Sequence, residues 1–566
     1  MVRRRDRRRT SVSEAERLLE ALDEQQRTAA QALLGPVCLL AGAGTGKTRA
    51  ITYRIAYGVA TGVYPPNRVM ALTFTARAAG ELRGRLRALG AGGVAARTFH
   101  AAALSQLNFF WPQVIGGSMP RLIDNKARLI AHAADGLRLK LDTATLRDVA
   151  AEIEWRKISR LRIDEYVTRG RPVPASLDPE QLAELQAAYE RIKDERRQLD
   201  FEDVLLAAAG MIEAEPRVAQ QVREQYRFFV VDEYQDVSPL QHDLLALWLG
   251  DRDDVCVVGD VSQTIYTFAG ASPDFLLGFA SEHEDAVVLR LEENYRSTPT
   301  IVAAANKLMR GRPGALTLES ASGKVGPAPR VAAFEGDVAE ARAVASAIAN
   351  EIAGGRAPED IAVLYRVNVQ SQVLETALAD AGVPTVIRGA TRFFDQREVK
   401  EALMLLRGAA VNTAPQPLFQ VVSDVLRSIG WSQEAPEARG AVRDRWESLN
   451  ALMRIAEEAP AGTTLREFVD ELFERQAGQH EPTMSAVTLA TLHSAKGLEW
   501  DSVYIIGLSE GLVPISYAKD ATAIEEERRL LYVGVTRARE RLSLSWAAAQ
   551  ARGGGRQPSR FLADLG

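Results

Sequence analysis

The sequence predicts an α/β protein built on two parallel sheets with helical accessory insertions, and three observations carry that prediction. Residues 38–48, CLLAGAGTGKT, read as a buried apolar strand that turns through glycines into the start of a helix. Strand, helix and strand then follow at the spacing of a βαβ crossover, which implies parallel pairing and puts ligand-binding residues at the carboxyl ends of the strands. Further apolar runs at residues 361–366 and 486–492 belong to a second sheet, because 566 residues exceed what one core supports.

Composition narrows the class. A hydrophobic fraction of 46 % with 25 % charged residues is that of a soluble globular protein. No apolar run approaches the roughly 18 residues of a bilayer-spanning helix, so no membrane role is expected. Arg3, Arg4, Arg5, Arg7, Arg8 and Arg9 have no apolar segment behind them, which reads as a disordered basic tail over residues 1–12 and not as a secretory signal. The two cysteines, Cys38 and Cys256, sit in apolar runs. They allow neither a disulfide framework nor a cysteine zinc site, and point to the cytoplasm. The net charge of −5 does not advertise a nucleic-acid binder, yet a basic groove can exist on an acidic protein.

In chain order, residues 22–26 open a short helix. Gln26 there can pair with both an acceptor and a donor on an adenine edge, and an exposed polar residue is the competing reading. In the glycine-rich turn, Gly42, Gly44 and Gly46 let the backbone approach a phosphate chain, with Thr45 and Arg49 as neighbouring candidates. Lys47 would reach the β/γ oxygens and the Thr48 hydroxyl would take a place on Mg²⁺. Ala41 stands where the usual pattern has glycine.

Residues 69–75, VMALTFT, form the next strand and leave Phe74 at the functional edge, as a stacking face for a base or as one more buried aromatic. Thr98, Phe99 and His100 repeat an aromatic between polar groups. Residues 106–197 read as a helical insertion. Its basic and aromatic mixture at Trp155, Arg156, Lys157 and Arg160 is compatible with nucleic-acid contact, or with a solvated helix face.

The first sheet resumes at residues 228–236, FFVVDEYQD. Asp232 would lie where Mg²⁺ sits beside the phosphates, and Glu233 where it orients an attacking water. Residues 255–258 lead to Gln263, placed to sense a γ-phosphate, with Tyr266 and Phe268 a few residues on. A second sheet is expected to begin at residues 291–297, LEENYRS, with a glycine and proline linker at 323–329 and a helical stretch at 525–541 containing Arg537. After Trp546 no further domain is expected.

These stretches resemble, in order, the motifs of the superfamily 1 helicases of the UvrD, Rep and PcrA type. AGAGTGKT, ALTFTARAAGELRGRL, TFHA, VVDEYQD, GDVSQTIYTFAGA, LEENYRSTPTIV, IAVLYRVNVQS, TLHSAKGLEWDSVYIIGLSEGLVP and EEERRLLYVGVTRARERL span nearly the whole chain. The resemblance implies two RecA-like P-loop domains with ATP in the cleft between them and single-stranded DNA across their top. By position, Gln26 would read adenine, Tyr295 would stack on it, and Glu499 would lie near the ribose. Lys47 and Thr48 would hold phosphate and Mg²⁺, Asp232 would complete the metal shell, and Glu233 would activate water. Gln263, Arg296 and Arg537 would surround the γ-phosphate, and Phe74, His100, Tyr266, Phe268, Asn368 and His493 match strand-contacting positions.

Ala269 stands where the family has arginine, Trp500 replaces a common phenylalanine, and residues 403–484 are half the size of the family's second accessory domain. The expected organisation is residues 13–105 with 198–282 as the first domain, 106–197 inserted in it, 283–402 with 485–566 as the second, and 403–484 inserted there. The expected function is an ATP-dependent helicase moving 3′ to 5′ on single-stranded and tailed duplex DNA, monomeric in solution, with repair or replication proteins as partners. The rivals are a translocase that displaces proteins with little intrinsic unwinding and a nucleotide-dependent recruitment module.

Overall fold

Runs of β-branched and other apolar residues form strands, and most lie where the sequence places them. The computed structural model describes residues 14–123, 125–169, 177–388, 394, 397–410, 417–434, 441–457, 459–460, 462–478, 485–549 and 555–565. Among these the chain divides into two compact units. Leu291 closes the first and Glu292 opens the second, with Ala43–Thr45 grouped with the second.

The first unit is a six-stranded parallel sheet of β1 (Val37–Ala41), β2 (Val69–Thr73), β3 (Ala95–Thr98), β4 (Phe228–Val231), β5 (Val255–Gly259) and β6 (Val287–Leu291), in spatial order β3-β2-β4-β5-β1-β6. A parallel strand covered on both faces must be apolar throughout, and β4, FFVV, is buried at all four positions. The pleat divides it: Phe229 and Val231 enter one core with Trp248, while Phe228 and Val230 enter the other with Leu39 and Ile55. The free thiols Cys38 and Cys256 are buried on opposite faces of this sheet. Because β5 lies between β1 and β4, the loops that follow these three strands meet at one carboxyl edge.

Helices Lys126–Gly136, Thr143–Ile158, Ile163–Thr168 and Pro179–Glu195 form an insertion with its own core, including Ile130, Val149, Ile153, Leu185 and Tyr189. Its entry and exit are joined where Arg121–Leu122 pairs with Gln198–Leu199. The expected start at residue 106 is too early, since helix Phe99–Val114 buries Leu107 and Phe110 in the parent core.

The second unit is a six-stranded parallel sheet of β7 (Arg330–Phe334), β8 (Ile361–Tyr365), β9 (Thr385–Arg388), β10 (Val487–Thr491), β11 (Trp500–Ile505) and β12 (Ala538–Ala547), in order β7-β12-β11-β8-β10-β9. Helices Asp337–Ala353 and Ser371–Asp380 bury Val344, Ile348, Leu374 and Leu378 against Ile361, Val363 and Leu489.

Four further expectations are corrected. The start of the second domain moves from residue 283 to 292, because Val287–Leu291 pairs with β1, and residues 291–297 do not open the second sheet, since Glu293–Asn294 pairs only with Glu319–Ser320 among the described residues. The stretch 525–541 is helical only within Ala521–Val535; beyond it Leu542 and Leu544 alternate with serines at the period of a strand, and that segment is β12. The second insertion begins by residue 397, not 403: helix Arg397–Ala409 contributes Val399 and Leu406 to the core it shares with helices Leu418–Ser428, Ala441–Glu457 and Leu465–Gly478. The basic tail expected over residues 1–12 lies outside the described residues. Among the described residues no helix is long and apolar enough to cross a membrane.

Candidate nucleotide site and nucleic-acid interface

A glycine-rich cradle follows β1. The chain turns through residues 42–46 into helix Lys47–Ala60, whose first N–H groups have no partner within the helix. Gly44 and Gly46 take φ of 72° and 78°, a region most side chains avoid. A Cβ on Gly46 would lie 2.7 Å from Gln26 Nε2, so this glycine is also required by close approach of the buried Gln26. Asp23 caps the Gln26 helix, its Oδ1 accepting from the Gln26 N–H at 2.7 Å. Gly42 and Thr45 are buried and Thr48 is half-buried in the helix's first turn. Arg49 Nη2 donates to Ala21 O at 2.5 Å and its guanidinium lies 5.3 Å from the Tyr53 ring centre, so Arg49 braces the segment leading to Gln26.

The acids after β4 face this cradle. Lys47 Nζ is buried 3.7 Å from Glu233 Oε1, without a hydrogen-bond partner among the described residues. Asp232 Oδ1 accepts from the Glu233 N–H at 3.0 Å. Glu233 has φ 55°, a conformation costing about 1–3 kcal/mol in a residue with a side chain. Gln235 is fully buried: its Nε2 donates to Glu233 Oε2 at 2.5 Å and its Oε1 accepts from the Asp260 N–H at 3.0 Å. Asp260 Oδ2 in turn accepts from Gln263 Nε2 at 2.7 Å, and Oδ1 from the Ser262 N–H at 3.0 Å. Burial pushes the Asp260 carboxyl up, against the opposing pull of Lys47 and these donors. A hydrogen-bonded chain therefore runs Glu233–Gln235–Asp260–Gln263. Gln235 and Asp260 are not predicted from the sequence. The available signal was a polar residue in the first turn after an apolar strand, which must find partners if it is buried.

Aromatic side chains crowd the same edge. Phe74, 45 % exposed, stacks on Tyr266 at 5.6 Å between ring centres, and Tyr266 meets Phe268 edge-on at 6.2 Å. His100 stacks on Phe201 at 3.8 Å, and Phe201 is 57 % exposed. Burial pushes His100 down to about 4, leaving it neutral at pH 7, and pushes Tyr266 up to about 12. Phe99 is core, stacked on Trp248 at 5.9 Å. Phe201 was not predicted; an exposed phenylalanine in the polar run QLDFED was the signal available. The basic face considered at residues 155–160 is corrected. Arg156 is buried against Gln186 and Glu190, Lys157 against Asp200 and Asp203, and Arg160 pairs with Asp243 and Glu213, so these charges are taken up within the unit.

In the second unit, Glu499 immediately precedes β11 and Arg537 immediately precedes β12. Arg296 Nε donates to Glu499 Oε2 at 2.5 Å and its Nη1 to Thr536 O at 3.2 Å. Arg539 Nη2 donates to Glu499 Oε1 at 2.6 Å. Burial alone would raise the Glu499 carboxyl, but the two arginines hold it below its ordinary range. Arg537 is buried, donating to Val533 O at 2.9 Å, Leu498 O at 3.1 Å and Thr536 Oγ1 at 3.1 Å. Tyr295 is 48 % exposed. Asn368 is exposed after β8 and His493 half-buried after β10, at the carboxyl ends of two paired strands. Burial, then Arg366 and Lys496, pushes His493 down to about 4.

A glycine turn feeding a helix N-terminus, with Lys47 facing acids at the end of a neighbouring parallel strand, defines a P-loop nucleotide-binding fold. Residues 22–284 match the UvrD/REP helicase N-terminal domain, and residues 289–435 and 413–549 match the UvrD-like helicase C-terminal domain. The chain is 47 % identical to the ATP-dependent DNA helicase UvrD2 of Mycobacterium tuberculosis (strain ATCC 25618 / H37Rv), over 96 % of this chain and 81 % of that protein. It is 31 % identical to DNA helicase II of Escherichia coli (strain K12), over 97 % and 88 %, and 29 % identical to the ATP-dependent DNA helicase PcrA of Bacillus subtilis (strain 168), over 97 % and 86 %. The chain belongs to the UvrD/Rep helicase family.

Proposed function

We propose that this chain is an ATP-driven motor that moves 3′ to 5′ on single-stranded DNA and unwinds duplex. The observation that carries the reading is the buried chain from Glu233 through Gln235 and Asp260 to Gln263, three residues before Tyr266. It runs from the carboxylate we assign to hydrolysis into the loop that carries Tyr266 and Phe268, an aromatic face that suits bases of any sequence.

In this reading Lys47 and the glycine turn bind the triphosphate, Gln26 reads adenine, Tyr295 stacks on it and Glu499 takes the ribose. Glu233 accepts a proton from the attacking water while Gln263 senses the γ-phosphate. Arg296 and Arg537 are the arginines we assign to the γ-phosphate; in the structure Arg296 donates to Glu499, and Arg537 to the Val533 and Leu498 carbonyls. The donor set fits Mg²⁺: the Thr48 hydroxyl and the Asp232 carboxylate are hard oxygen ligands, and the buried Lys47 Nζ, 3.7 Å from Glu233 Oε1, has no hydrogen-bond partner among the described residues. When bound, Mg²⁺ would supply charge neutralisation on the phosphates. Phe74, His100, Phe201, Tyr266 and Phe268 grip the strand on the first unit, and Asn368 and His493 on the second. The buried free thiols support a cytoplasmic setting, and DNA repair or replication is the role we assign.

Strand displacement on 3′-tailed, 5′-tailed and blunt duplexes tests this. The expected result is ATP-dependent unwinding of the 3′-tailed substrate alone, lost in Glu233→Gln; equal unwinding from a 5′ tail would overturn the polarity. The small second insertion, with four helices among its described residues, favours one rival, a translocase that unwinds poorly alone. Release of streptavidin from a biotinylated strand without duplex displacement would select it.

A further inference from the structure

The base of the first insertion holds buried charges that the hydrolytic chemistry does not use. Lys157, its side chain 2 % exposed, donates to Asp200 Oδ2 and Asp203 Oδ1 at 2.6 Å each. Lys193, 3 % exposed, donates to Asp200 Oδ2 at 3.3 Å and also to Asp203. The Tyr189 hydroxyl donates to Asp200 Oδ2 at 2.9 Å, and Lys126 Nζ to Glu202 Oε2 at 2.6 Å and Glu154 Oε1 at 2.8 Å. Glu190 forms ion pairs with Lys157 and Lys193 at 3.0 and 2.6 Å. The lysines come from three different helices of the insertion, Lys126–Gly136, Thr143–Ile158 and Pro179–Glu195. Their partners Asp200, Glu202 and Asp203 belong to one turn, the start of helix Phe201–Ala214, where Asp200 is the N-cap and closes a capping box with Asp203.

Stability does not call for this arrangement, since well-packed apolar residues often match or exceed buried ion pairs. What it does fix is Phe201. The residues on both sides of Phe201 are clamped by lysines from the insertion, while the ring is left exposed and stacked on His100. A ring held in place loses little freedom when a base stacks on it, whereas a loose one must be ordered at the cost of affinity.

We infer that Lys157 and Lys193 are positioning residues that hold Phe201 against His100, so that the first insertion sets the grip on single-stranded DNA. The inference rests on the reading of Phe201 as a base-stacking residue, and the test separates the two. Fluorescence anisotropy of labelled oligodeoxythymidylate at fixed salt would be measured on the full chain for wild type, Phe201→Ala, Lys193→Met, Lys157→Met, Lys157→Arg and the Phe201→Ala/Lys193→Met double variant.

Phe201→Ala should weaken binding about tenfold, within the range one lost stacking contact allows. Lys193→Met should weaken it roughly threefold or more with DNA-free hydrolysis unchanged, and should add less than about twofold on the Phe201→Ala background, since coupled residues are non-additive. Lys157→Arg should stay near wild type. If Lys157→Met does not fold, Lys193→Met and Lys126→Met carry the same cycle. A lysine variant that weakens binding by the same factor in both backgrounds, or that lowers the melting temperature with unchanged affinity, would overturn the positioning role. Phe201→Ala at wild-type affinity would overturn the stacking reading and this inference with it, while leaving the rest of the strand face standing.

Discussion

Gln235→Leu cuts the buried chain at its centre, keeping volume while removing both hydrogen bonds. Two costs follow from the geometry. The bond from Gln235 Nε2 to Glu233 Oε2 is to a carboxylate, worth about 1.5–3 kcal/mol, and it orients the group we propose as acceptor of the water's proton. If that whole amount is expressed in the transition state, kcat falls roughly 10- to 150-fold. The second cost falls on stability: the Asp260 N–H is left buried without an acceptor, at about 1–3 kcal/mol. Steady-state hydrolysis at saturating single-stranded DNA separates these, because Lys47, Thr48 and the glycine turn are untouched and the KM for ATP should stay within about threefold. Gln235→Glu adds a directional check. A second carboxylate beside Glu233 raises carboxyl pKa values, a base must be ionised to act, and so the acid limb of the kcat profile should move to higher pH. A Gln235→Leu enzyme with kcat within about twofold of wild type would show that Gln235 does not position Glu233.

Phe268→Ala should weaken strand binding by about 1–3 kcal/mol with no change in melting temperature, because the ring is 62 % exposed; a large thermal loss with unchanged affinity would make it a packing residue. Arg537→Ala should reduce turnover about 10³-fold at saturating DNA and also lower the melting temperature, since the guanidinium satisfies buried carbonyls; normal hydrolysis would remove Arg537 from the site. Acidification should destabilise the fold through His493. Its folded pKa of about 4 lies below the unfolded value near 6.5, so the unfolded chain binds more protons between those values, and stability present above pH 6.5 is lost as pH falls towards 4, by at most ~1.4 kcal/mol per pH unit. Urea midpoints at pH 7 and pH 5 should differ less for His493→Gln than for wild type, and an equal difference would refute it.

What was legible in the sequence is what local chemistry dictates. The strand before the glycine turn, the acids after β4 and Gln263 after β5 each follow an apolar run too short for anything but a buried strand, and the structure puts them on one carboxyl edge. Long-range pairing was not legible. Val287–Leu291 joins β1 across about 250 residues of chain, and only that register shows that it belongs to the first sheet. Lys157 reads as a solvated charge because its partners lie more than 40 residues away at Asp200 and Asp203. Phe201 was hidden for the converse reason: a lone phenylalanine has no periodicity, and its exposure depends on the capping turn that holds it.

The two sheets place their candidate groups differently, and this bears on how hydrolysis becomes movement. In the first unit the candidate nucleotide and strand groups share the carboxyl edge, and the hydrogen-bonded path from Glu233 ends at Gln263, three residues before Tyr266. In the second unit Glu499 and Arg537 stand at the amino ends of β11 and β12, whereas Asn368 and His493 follow the carboxyl ends of β8 and β10. A strand of five or six residues spans roughly 17–20 Å, so no side chain connects those ends. What lies between is a parallel sheet in which β8 is hydrogen-bonded to both β10 and β11, and close-packed interiors transmit displacement with little compression. A shift imposed on Arg296, Glu499 or Arg537 would therefore reach Asn368 and His493 as a movement of the whole sheet. The first unit would report nucleotide state through side chains and the second through its backbone, which is the asymmetry a motor needs to loosen one grip while the other holds.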